Sequence, residues 1–71
     1  MIDPFKWTLS RELARIAEAE LGPVAFDVLR RHAHGDSIED IARSYGYSKR
    51  HTKSIVHMAK QTIRDVARRV A

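Results

Sequence analysis

The sequence predicts an all-α fold, a small four-helix bundle, and three observations lead there. Apolar residues recur at helical spacing in each long segment, and glycines with one internal proline divide those segments. No stretch alternates apolar and polar residues for long enough to make a strand. The 71 residues make a single domain, 1–71. A core of this size is only marginally stable alone, so a partner surface or a larger parent chain is expected.

The first helix is expected to begin after Asp3-Pro4, a cap with proline at the first helical position, or at Thr8 or Ser10. Leu9, Leu13, Ile16 and Ala17 form its apolar stripe, and Gly22-Pro23 ends it. Residues 1–20 thus read as an extra N-terminal helix, with Phe5 and Trp7 pinning the N-terminus to the bundle. The second helix is expected from Pro23 to His34, with Val24, Val28 and Leu29 inward and Phe26 adding apolar surface elsewhere. It stops at Gly35, and His34 suits a helix end through the local dipole.

Ser37-Ile38-Glu39-Asp40 resembles a capping box with Asp40 as the reciprocal partner. The third helix is short, Ile38 to Tyr45, and Gly46 closes it. Ser48 caps the fourth, which meets no glycine or proline before Ala71. At ~100° per residue, one face of that helix gathers Thr52, Ile55, Val56, Ala59, Ile63, Val66 and Val70, and the opposite face gathers Arg50, Lys53, Ser54, His57, Gln61 and Arg64.

Composition narrows the function. No cysteine is present, so disulfides and thiolate metal sites are excluded. His32 and His34 point in different directions on a helix and no H-E-x-x-H pattern occurs, so no metal and no cofactor is expected. No apolar run approaches the ~20 residues that span a bilayer, and the N-terminus does not read as a signal peptide. A cytoplasmic, nucleoid-associated location is expected, with no membrane partner. Paired carboxylates, a glycine-rich phosphate loop and a nucleophile beside a base are all missing from the pattern, so no enzyme is expected.

Charge is segregated. Residues 1–42 carry five basic against eight acidic side chains, a balance of −3, whereas residues 43–71 carry eight basic side chains against Asp65 alone, a balance of +7. A C-terminal half facing a polyanion accounts for this polarity, and a solvated basic helix is the alternative.

The segment from Ile38 to Ser48 joins these features. A helix-turn-helix needs a small residue where its helices approach, which Ala42 supplies, and a turn residue at ease at positive φ four positions later, which Gly46 supplies. Ile38, Ile41 and Tyr45 line the inside of its first helix and Ile55 faces them from the second. The expected fold is therefore a bundle containing a helix-turn-helix with an extended C-terminal recognition helix.

On these residues the chain resembles two related families. Leu21, Val28, Leu29, Ala33, Gly35, Ser37, Ile41, Ala42, Gly46, Ser48 and Lys53 fit, without a gap, the pattern of the DNA-binding domain of quorum-sensing and response-regulator (LuxR-type) proteins. Ser48, Lys53, Ser54, His57, Ala59 and Arg64, with Ile63 and Asp65 as close replacements, resemble the promoter −35-reading domain (region 4) of bacterial sigma factors. Residues 21–65 form the family-like core. His51-Thr52 departs from the usual T-V, placing a hydroxyl where a methyl packs, so Thr52 must bond a nearby carbonyl or stay partly wet. His32 stands for an aliphatic residue and Ala25 for an acidic one.

The resemblance implies sequence-specific binding of double-stranded DNA in transcription regulation. The N-terminal end of the fourth helix would enter the major groove, with Ser48, Lys49, Arg50, His51, Lys53, Ser54 and His57 near base edges and phosphates. Arg50 and Lys53 are the expected guanine readers and Lys49 a phosphate contact. Arg43, Tyr47 and Lys60 are expected backbone anchors. The competing reading is a protein-interaction module whose basic stripe meets an acidic surface of the transcription machinery, such as RNA polymerase. A homodimer through the last turns of the fourth helix is also expected, because Val56, Ala59, Ile63, Val66 and Val70 form a heptad-like seam. The other occupant of that seam is the first helix, through Leu9, Leu13 and Ile16.

Overall fold

The computed structural model describes residues 11–70, with side chains from Leu13 to Arg69. Within them the chain is all-helical: α1 (Arg11–Leu21), α2 (Pro23–Ala33), α3 (Ile38–Tyr45) and α4 (Lys49–Val70), with no strand among the described residues. The expected start of the first helix, Leu9, Phe5, Trp7 and Ala71 lie outside the described residues.

Each boundary has a local cause. Pro23 opens α2 at its first position, where no N–H is needed. The Ser37 hydroxyl accepts the Asp40 N–H at 3.1 Å and so starts α3. Only half of the expected capping box forms, because the Asp40 carboxylate pairs with Arg43 at 3.3 Å instead. Gly46 sits in the left-handed region at φ 70°, ψ 27°. The Tyr47 N–H returns to the Ala42 carbonyl at 2.9 Å and the Gly46 N–H to that of Arg43 at 3.3 Å. This double bond closes α3 as a Schellman motif. The same pairing closes α2, where Asp36 returns to Arg31 and Gly35 to His32, so α2 ends at Ala33 and His34 becomes its cap.

The described helix α4 spans ~33 Å at 1.5 Å per residue. It packs on each of the other three helices, most extensively on α2, while α1 and α3 both lean on the α2–α4 pair. Two apolar clusters result. Ala17, Leu29, Ala59 and Ile63 join α1, α2 and α4, with Leu21 and Phe26 packed beside them. Val28, Ile41 and Val56 join α2, α3 and α4, with Ile38, Tyr45 and Ile55 at the margin. Four of the core residues are alanines (Ala17, Ala25, Ala42 and Ala59), and small side chains there let helix axes approach closely.

Two expectations about α2 need correction. Val24 does not face inward: it is 41% exposed, and Ala25 is buried instead. Positions 25, 28, 29 and 32 make the i, i+3, i+4, i+7 stripe that α2 turns to the core, and Val24 lies ~90° off its centre. Phe26 is not apart from the core but packs with Leu21 on the α1-side cluster. His32, on the buried stripe, is half-buried and its Nδ1 has no hydrogen-bond partner among the described residues. Four residues of the heptad-like seam, Val56, Ala59, Ile63 and Val66, are buried within the chain itself.

Candidate nucleic-acid interface

The first turn of α4 is held from inside by Ser48 and Thr52. The Ser48 hydroxyl accepts the His51 N–H at 3.0 Å. The Ser48 carbonyl accepts the Thr52 N–H and the Thr52 hydroxyl, each at 3.0 Å. Thr52 is fully buried, and that second bond satisfies its hydroxyl, which burial would otherwise leave unpaired.

With Thr52, Val56, Ala59, Ile63 and Val66 turned inward, helical geometry sends the opposite face to solvent. Arg50, His51, Lys53, Ser54 and His57 are exposed there, together with Ser48 and Lys49 at the helix start. Neither Arg50 nor Lys53 forms an ion pair among the described residues. Lys49 pairs with Glu39 at 3.0 Å, and Arg43 pairs with Asp40. Lys60 lies further along and is half-buried. Tyr47 is engaged on both sides: its ring stacks on Tyr45 at 5.4 Å and meets the edge of His51 at 4.8 Å. Tyr47 and His51 thereby tie the α3–α4 connection to the first turn of α4.

Sequence reasoning missed a group that reaches the end of α3, Asp27 on α2. Its carboxylate accepts the Tyr45 hydroxyl of α3, the Arg31 Nε at 2.9 Å and the Arg30 guanidinium. Arg31 also lies over the Tyr45 ring at 5.8 Å and reaches the Ser44 hydroxyl at 3.4 Å. The i, i+3 and i, i+4 spacing of Asp27 to Arg30 and Arg31 is visible in the sequence. The reach of Tyr45 across eighteen positions is not. A packed chain thus runs from α2 through Asp27, Tyr45 and Tyr47 to His51.

This chain makes stability depend on acid. The Tyr45 hydrogen bond first, then Arg30, holds the Asp27 carboxyl at about 2 instead of the ordinary 3.8, and the same bond raises the Tyr45 phenol. A depressed folded value means the contribution is complete above the unfolded value and is lost as pH falls from about 4 toward about 2. The Asp27 side chain is 21% exposed, so solvent screening reduces the contribution to about 1 kcal/mol. Thermal melts of the native chain and of Tyr45→Phe are expected to converge between pH 5 and pH 2 (roughly the linkage window). A gap that stays constant across this range contradicts the assignment.

Elsewhere at the surface Glu20 pairs with Arg69 and Asp65 with Arg68. No helix among the described residues is long and apolar enough to cross a membrane, and no three potential metal ligands gather among them. Comparison with protein-family models, with curated proteins and with solved structures gives no match in any of the three.

Proposed function

We propose that α3 and α4 form a helix-turn-helix and that the chain binds double-stranded DNA sequence-specifically, α4 reading the major groove in transcription regulation. One observation carries this reading. Arg50, Lys53, Ser54 and His57 share one exposed face on the first turns of a long helix, entered through a left-handed glycine turn from a short helix. Such a face offers guanidinium and ammonium donors for guanine O6 and N7 and hydrogen-bonding groups for neighbouring edges. The other exposed cations of the C-terminal half serve the phosphates, which position a protein without specifying sequence.

Ala42 supports the motif from within, since it is only 3% exposed on the helix that packs against α4. The Asp27–Tyr45–Tyr47–His51 chain supports it from the side, because it fixes the turn on which the direction of α4 depends.

Selection from a randomised duplex pool tests the function. The expected result is enrichment of one sequence, bound about 10³-fold or more tighter than random DNA at physiological salt. Weak binding without enrichment contradicts it and favours the protein-interaction module.

A further inference from the structure

The cations of the proposed surface are not in the same state. Arg50 and Lys53 stand without ion pairs among the described residues, whereas Lys49 is held by Glu39 at 3.0 Å. That pair bridges the first turn of α3 and the first residue of α4, directly beside the face that carries Arg50 and Lys53. Both side chains are well exposed, 61% for Glu39 and 58% for Lys49, so the pair adds little to folding. Its partners also keep the carboxylate charged: Lys49 first, then the more distant Arg43, lowers the Glu39 carboxyl below its ordinary range. The adjacent Asp40 is occupied with Arg43.

We propose that Glu39 is a charge-exchange residue of the DNA-binding surface, holding Lys49 in the free protein and releasing it to a phosphate in the complex. The proposal rests on the DNA-binding reading above and adds to it a brake on affinity. A free lysine that reaches a phosphate displaces a condensed counterion and gains its release entropy. Because the phosphate and the Glu39 carboxylate compete for the same ammonium, Lys49 is only partly transferred and little of that counterion release is realised. The native lysine therefore contributes little to affinity or to its salt dependence. Glu39→Gln keeps the helix-forming shape of the side chain and removes the charge, leaving Lys49 free to act as a full phosphate contact.

The test is a titration of labelled duplexes, one of mixed sequence and one enriched from a random pool, at several salt concentrations. Four proteins are compared: the native chain, Glu39→Gln, Lys49→Ala and the double variant. Expected is about 2- to 5-fold tighter binding of Glu39→Gln to both duplexes at ~0.1 M salt. Its salt slope should steepen by about 0.9, a change that a merely structural role does not produce. Both gains should vanish in the Lys49→Ala background. Unchanged or weaker binding by Glu39→Gln, while the native chain binds, overturns the exchange. A gain that persists without Lys49 also overturns it, because Glu39 then repels DNA directly. Failure of the native chain to bind any duplex removes the DNA-binding reading itself and the exchange with it.

Discussion

Arg50→Ala is expected to weaken binding to the preferred duplex by about 1–3 kcal/mol and binding to random DNA by much less, so that discrimination collapses. Arg50 is the second residue of α4 and lies on its exposed face, where a helix-turn-helix presents side chains to the groove floor. Its guanidinium can donate two parallel bonds to guanine O6 and N7, a pattern of acceptors that no other base offers there. Folding should not change, since the side chain makes no ion pair among the described residues. Lys60 provides the contrast. It lies seven residues beyond Lys53, ~10 Å along the helix, which in the proposed docking puts it past the groove floor and at the height of the backbone. Lys60→Ala should therefore weaken both duplexes alike and reduce the salt slope by about one unit. Equal weakening of both duplexes by Arg50→Ala makes Arg50 a phosphate anchor and displaces the reading surface.

Ile41→Ala is expected to cost the fold about 2–5 kcal/mol, a loss comparable with the whole stability of a domain this small. Ile41 is almost completely buried and joins Val28 of α2 to Val56 of α4. It is the largest core side chain that α3 contributes. Its cluster partners Val28 and Val56 are β-branched and stiff, so they relax into the vacated space only in part. The variant should lose helical circular dichroism at temperatures where the native chain is folded, and should lose DNA binding in proportion to the unfolded fraction. Arg50→Ala separates the two effects: it loses recognition with an unchanged melt. A folded Ile41→Ala protein with native melting temperature contradicts the role of the second cluster in holding α3 on α4.

The features behind these two effects differ in how far the sequence alone carries them. The start of α3 and both ends of its turn were legible, because Ser37, Gly46 and Ser48 act on backbone groups within a few residues. The two faces of α4 were legible for a similar reason: a long helix repeats its pattern often enough that the core stripe is unambiguous. Val24 was not, because α2 is only eleven residues long and a β-branched residue near its start fits two stripes until the packing of Ala25 and Leu29 selects one. Asp27 escaped for a different reason. Its two arginines are local, but the Tyr45 hydroxyl that dominates its ionisation arrives from another helix. The Glu39–Lys49 pair likewise depends on how α3 and α4 are set against each other, not on spacing along one helix. Tertiary polar contacts of this kind carry no period, and so leave no trace in the hydrophobic pattern.

Whether the exposed N-terminal face of α4 meets DNA is decided by mapping amide chemical shifts as a short duplex is added. The largest shifts are expected on residues 48–57, centred on Arg50, Lys53 and Ser54, with smaller ones at Arg43 and Lys60. Shifts gathered instead on α1 and the exposed side of α2, with residues 48–57 unmoved, contradict that contact.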